Sequence, residues 1–252
     1  MNFQKNFEKY QHVLIFSDLY KIFLKEDHSK ILKQVDKIVI SLMKKKKTII
    51  LPTFNLFFPK TKITSFSSDH ISTGYLNRYL VKKFNFERTI RPMYNFAVMG
   101  PNSKQILALK QSTAWGENSV IGYLINSNAL GIGINVDIKS FNWLAIHYCE
   151  ERAKVPYRIY KNFNGFNYDL KKKVSEKMYV RKLSMNKIED GRKLNKRLIK
   201  LKKIITRKFY DLDISFLNLN EYKKEAEKLL KNNIYSLVKE ENRLNKKIKW
   251  FK

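Results

Sequence analysis

Residues 13–54, VLIFSDLYKIFLKEDHSKILKQVDKIVISLMKKKKTIILPTF, decide the fold. VLIF (13–16) is a short apolar run of the kind a buried strand needs. Ile31, Leu32, Val35, Ile38, Val39 and Leu42 then recur at spacings of three and four, which is an amphipathic helix. Lys44 to Lys47 suit the partial negative charge at its C-terminus. TIILPTF (48–54) reads as a second buried strand, stopped by Pro52. Strand, helix, strand in this order is a crossover unit and predicts a mostly parallel sheet.

Working outward, residues 55–75 mix Ser, Thr, Asn and Pro and read as a long loop. NFAVMG (95–100) is a third strand, and Pro101-Asn102-Ser103 starts a helix through Leu109. Ser119 is placed to cap a helix over VIGYLI, ALGIGINV (129–136) is a fourth strand, and residues 141–153 form a helix. Beyond Gly165, YVRKL (179–183) reads as a short strand. Two apolar stripes follow, Leu194, Leu198, Leu201, Ile205 and Leu230, Ile234, Leu237, Leu244, Ile248, Phe251. The expectation is an α/β body over residues 1–165, three layers with a mostly parallel central sheet. A mainly helical, lysine-rich C-terminal part over 166–252 packs on it, with no Pro/Gly/Ser linker between them.

The chain of 252 residues carries 51 basic and 22 acidic residues, a formal charge of +29. With 44% hydrophobic residues it has the material for a core and is not a disordered basic tail. Of the basic residues 41 are Lys and 10 Arg, whereas base readout and phosphate clamping favour Arg. Nucleic acid is therefore disfavoured as a partner. Much of the lysine matches the high Ile, Asn, Phe and Tyr content that AT-rich codons produce. One cysteine, Cys149, excludes an intramolecular disulfide framework, and the four histidines have no zinc spacing. No apolar run reaches membrane-span length and the N-terminus lacks a signal-peptide core, so the expected location is the cytoplasm.

The sharpest local pair is His147 and Glu150, three apart on a helix and so on one face. A His is a natural base near neutral pH, and a carboxylate can orient it. Structural pairing explains the spacing equally. The Gly-x-Gly of 131–133 has no third glycine, which points to close packing. Neither a phosphate-binding Gly-Lys-Ser/Thr loop nor a Gly-x-Ser-x-Gly elbow occurs, against a nucleoside triphosphatase or an ordinary serine hydrolase. Cys149, two residues from His147, points away from the pair and belongs to the core.

Seven segments in order, IFSDL (15–19), ILPTFN (50–55), STGYL (72–76), RTIRPMYNFAVMG (88–100), WGENSVIGYL (115–124), ALGIGI (129–134) and IHYCEERAKVPYR (146–158), resemble the aminoglycoside 3-N-acetyltransferase family. The resemblance implies a three-layer α/β/α fold and acetyl transfer from acetyl-CoA, used as co-substrate without a metal, to an amine. It implies His147 as the base, with Glu150 orienting it or meeting substrate. It places Ser17, Arg88, Thr89 and Ser119 around CoA. Asp69 and His70, in the long loop, and Glu151 are the acceptor-facing candidates. There are departures: Phe16 stands where the family commonly has His, Asn95 where a Ser is common, and Leu144 where a Thr thought to help the oxyanion is usual.

The basic body suits an anionic acceptor, so the resemblance is read toward a nucleotide-linked amino sugar of surface-polysaccharide assembly. The alternatives are an aminoglycoside-modifying resistance enzyme, a non-catalytic nucleic-acid-binding protein and a metal-dependent hydrolase built on His147 and Glu150. Self-association into a homo-oligomer is left open.

Overall fold

The computed structural model describes residues 3–67 and 70–241. Asp69 and the distal stripe at Leu244, Ile248 and Phe251 lie outside them. The opening unit forms as its pattern dictates: β1 (His12–Ser17), α1 (Tyr20–Phe23), α2 (His28–Lys44) and β2 (Thr48–Pro52). Asp27 caps α2, its Oδ1 accepting the Lys30 N–H at 2.7 Å, and the whole predicted apolar stripe is buried. The long connection that follows is not featureless. It holds α3 (Phe58–Thr61) and β3 (Ile63–Thr64), then α4 (Tyr75–Phe84).

Next come β4 (Glu87–Arg88), β5 (Phe96–Met99), α5 (Ser103–Leu107), α6 (Val120–Asn126), β6 (Leu130–Ile134) and α7 (Ala145–Arg152). The remainder is β7 (Arg158–Asn167), β8 (Lys172–Arg181), β9 (Lys187–Glu189), α8 (Arg192–Lys200), β10 (Ile204–Phe209), β11 (Leu212–Asn218), α9 (Leu219–Asn232) and β12 (Val238–Glu240).

Seven strands make one sheet in the order β10-β11-β6-β1-β2-β5-β4. Only β6, β1 and β2 run parallel to one another; β2 meets β5 and β6 meets β11 antiparallel. The sheet is therefore mixed, which corrects the expected mostly parallel arrangement. Connection length accounts for two of the four antiparallel pairs. β4 and β5 are linked by seven residues and β10 and β11 by two, Tyr210 and Asp211. So short a link permits only antiparallel pairing.

Side chains alternate across the sheet. Val13, Ile15, Ile49, Leu51 and Ile132 join one core, with α2 and with Leu76 and Leu80 of α4. Leu14, Phe16 and Ile50 join the other, with α6, α7 and α9. Helices thus cover both faces.

The region after Gly165 is not mainly helical. Residue 165 lies inside β7, and the β10–β11 hairpin extends the central sheet through β11 against β6. The expected stripe Leu194 to Ile205 breaks where Lys202 takes a left-handed conformation (φ 56°). The β-branched run Ile204-Ile205-Thr206 then favours a strand. No helix among the described residues is long and apolar enough to cross a membrane.

Gly131 and Gly133 of β6 serve close packing. A Cβ on Gly131 would lie 2.8 Å from the Trp143 ring, and one on Gly133 2.5 Å from Val136 Cγ2 and 3.4 Å from Trp143. Trp143 is fully buried over these bare positions and meets Phe16 edge-on at 5.5 Å. Gly131→Ala overpacks this layer and is expected to cost about 1–3 kcal/mol. Urea unfolding reads this as a lower midpoint, and an unchanged midpoint would mean Trp143 shifts freely.

Candidate active site

The connection after β6 turns back over the sheet and delivers α7, whose first turn carries Leu144 and His147. The His147 N–H donates to the Leu144 carbonyl at 3.2 Å. His147 and Glu150 do converge, but they are two members of a larger cluster. His147 Nδ1 lies 3.7 Å from Glu150 Oε2 and 3.3 Å from Glu189 Oε1 on β9. Arg158, the first residue of β7, reaches between them. Its Nε lies 2.8 Å from Glu150 Oε2, its Nη2 pairs with Glu189, and the same Nη2 is 3.2 Å from His147 Nδ1. Nη1 donates to the Tyr179 carbonyl at 3.0 Å. Glu150 is fully buried and its Oε1 accepts the Tyr157 hydroxyl at 3.0 Å.

A carboxylate buried this deeply is stable only when compensated. Burial alone would raise the Glu150 carboxyl. The His147 hydrogen bond and the Arg158 guanidinium outweigh it and hold the group below the usual range. Burial lowers His147, against the pull of Glu150, so the imidazole stays neutral near pH 7. Trp115 covers that ring at 4.8 Å between centroids. Trp115 is in turn set by Tyr94 at 4.6 Å, and the Met93 and Tyr94 N–H groups donate to buried Glu176, which pairs with Arg91. His147, Glu150 and Glu189 bring three donor atoms within 4.8 Å. A cation there would compete with Arg158, which already meets both carboxylates.

The other sequence candidates divide. Ser17, at the end of β1, lines a cavity of about 280 Å3 together with Phe16, Pro52, Phe54 and Leu144. This cavity borders the cluster: Leu144 is one helical turn from His147, and Phe54 touches Trp115 at 6.0 Å. Glu151 is buried beside the cluster and accepts from Thr113 Oγ1 at 2.6 Å. Burial raises its carboxyl despite that bond.

Arg88, Thr89 and Ser119 are committed to the chain itself. Arg88 donates to the carbonyls of Thr53, Phe66 and Ser67 and to Asn95 Oδ1, pinning the long connection. Burial pushes its guanidinium down to about 10. Thr89 Oγ1 accepts the Phe96 N–H at 2.9 Å, and Ser119 caps α6 by accepting the Gly122 N–H at 3.0 Å. His70 sits half-buried in the connection, its N–H on the Ser67 carbonyl. Cys149 is buried and burial pushes its thiol up, consistent with packing.

A family model described as aminoglycoside 3-N-acetyltransferase matches residues 39–231. No curated protein sequence matches at a significant level. Among solved structures, the aminoglycoside acetyltransferase AAC(3)-IVa apoenzyme superposes with a TM-score of 0.71 at 13% identity, covering 92% of this chain and 88% of that one. The YokD protein of Bacillus subtilis gives 0.68 at 17%, covering 88% and 93%. AAC-IIIb in its binary complex with CoASH gives 0.65 at 10%, covering 88% and 90%. At these identities the likeness is one of fold.

Two outcomes follow from the cluster. Arg158→Leu leaves Glu150 buried without its counter-charge and is expected to cost about 3–5 kcal/mol in denaturant unfolding. Because His147 resists protonation, its NMR titration midpoint should fall below about 6.5, the ordinary imidazole value. The sign for stability is the same. An unfolded His147 takes a proton first as pH drops, so this group's contribution is present above about 6.5 and lost below it.

Proposed function

The chain belongs to the aminoglycoside 3-N-acetyltransferase family, and on that premise we propose that it moves an acetyl group from acetyl-CoA to the primary amine of an amino sugar, with His147 as the base. The observation that carries the role of His147 is its setting. The ring is neutral, partly open at 16% exposure, and its Nδ1 faces Arg158, Glu189 and Glu150 at 3.2, 3.3 and 3.7 Å. The base role needs the tautomer with its proton on Nδ1, turned to Glu189, so that Nε2 keeps its lone pair and Arg158 Nη2 spends its proton on Glu189; the opposite tautomer would have Nδ1 accept from Arg158.

The chemistry balances simply. An ammonium is no nucleophile, so it first loses one proton to solvent, and Nε2 takes the second as the resulting amine attacks the thioester carbon. The C–N bond forms, the C–S bond breaks, and the CoA thiolate leaves with the electron pair and recovers the proton. Glu150 and Glu189 stabilise the imidazolium in passing, while Arg158 keeps both carboxylates ionised. The CoA fit is supported by Asn77 Oδ1 on the cavity wall, a buried acceptor without a hydrogen-bond partner. The pantetheine arm carries secondary amides that can donate to it.

For the acceptor, a formal charge of +29 favours an anionic, nucleotide-linked amino sugar of the kind consumed in surface-polysaccharide assembly. A second reading, an aminoglycoside as acceptor, is favoured by the two carboxylates Glu150 and Glu189 gathered near His147. Free-thiol release from acetyl-CoA separates them. Turnover with UDP-linked amino sugars supports the first, and turnover confined to aminoglycosides supports the second. His147→Ala is expected to lower turnover by about 10²–10⁴-fold while CoA still binds in calorimetry. Turnover near wild type would remove His147 from the base role.

A further inference from the structure

The cavity at the ends of β1 and β2 has room and chemistry that an acetyl group does not use. Its wall is largely Phe16, Pro52, Phe54, Phe141 and Leu144. Two of these, Phe16 and Leu144, are positions where the sequence replaces a polar residue common in the family by an apolar one. They come from different elements, β1 and the start of α7, yet face one space. Each replacement alone is a drift; together they turn one side of the site from polar to apolar.

At roughly 30 Å3 per water-sized group, 280 Å3 holds about nine such groups. Acetyl brings only a carbonyl and a methyl. The reacting atoms must meet beside His147, and the surroundings of that ring differ by side. Carboxylates lie around Nδ1 and suit the cationic amine. Leu144, one turn back on the same helix, opens on the apolar cavity and suits a hydrocarbon.

We infer that this cavity takes the acyl chain of the thioester, and that the co-substrate it fits best is an acyl-CoA of about four to six acyl carbons. The inference rests on the acyltransferase reading and narrows its donor. The step is unchanged: the amine nitrogen bonds to the acyl carbonyl carbon, the C–S bond breaks, and the thiolate leaves with the electron pair. Only the length of the alkyl group differs. Asn77 Oδ1 on the same wall, a buried acceptor without a hydrogen-bond partner, can take an amide N–H of the CoA arm.

Calorimetric titration of the full chain with CoA, acetyl-CoA, butyryl-CoA and hexanoyl-CoA tests this without knowing the acceptor. Each buried methylene is expected to tighten binding by about fourfold, so butyryl-CoA, with two more, should bind roughly fifteenfold more tightly than acetyl-CoA. Leu144→Trp fills the cavity and should erase that advantage while CoA itself still binds. Leu144→Asn, smaller and polar, should weaken it too and guards against a bulky variant that fails to fold. If CoA and acetyl-CoA bind but butyryl-CoA binds no more tightly, or if the advantage survives both substitutions, the inference falls alone. If no CoA compound binds, the acyltransferase reading falls and takes the inference with it.

Discussion

The Arg158 guanidinium is the contact around which the rest is arranged. It sits among two carboxylates and an imidazole, nearly out of water, with its side chain 6% exposed. A charge in that position is tolerated only if its partners stay in place. Those partners lie on α7 and on β9, and its own strand, β7, starts where α7 has just ended. Moving any of the three strands a buried charge, so the burial of one guanidinium fixes the registry of elements that the chain contributes far apart. It also explains why the second half cannot be a detachable extension. Glu189 reaches the site from that half, and β11 hydrogen-bonds to β6 from the other side.

That contact separates what a sequence can disclose from what it cannot. The β1–α2–β2 unit was legible because each element has its own periodicity and a physical stop, the lysine run at the end of the helix and Pro52 closing the strand. The Gly131/Gly133 pair was legible as close packing because it lacked the rest of a phosphate loop. Ser119 was legible as a cap because a hydroxyl before an apolar run has a backbone N–H to meet. His147 and Glu150 were legible as a pair through helical geometry, and Arg158 only as part of the Pro-Tyr-Arg tail of a resemblance. Glu189 carried no signal. It is one acid in a lysine-rich stretch, and its partner is some forty residues away across a fold that had to be known first.

The C-terminal region was misread for a different reason. Leucines at spacings of three and four across 194–205 satisfy a helix, and nothing in that spacing registers the left-handed turn at Lys202. The neighbouring LDISFLN (212–218) does alternate, and its Leu212, Ile214 and Phe216 enter one core while Leu217 enters the other. The period of two was present, but in a region dense with lysine the helical stripe was the louder pattern. Tertiary pairing with β6 decided the outcome.

The two sides of His147 also explain how a strongly basic protein can handle an amine. Beyond about 8–10 Å salt screens the general positive field, so what the amine meets at the ring is local. Locally Glu150 and Glu189 outnumber the one guanidinium they share, while burial raises the carboxyl of the neighbouring Glu151. The cluster is therefore negative enough to receive an ammonium and to steady an imidazolium. It is not so negative that it demands a polycation. The apolar cavity adds the complementary restriction, since a hydrocarbon-lined space next to a charged cluster sorts the two reactants by polarity before they meet. On the proposed function, the amine is selected where the acceptor engages the rim, and the donor by the cavity that Phe16 and Leu144 line from two separate elements.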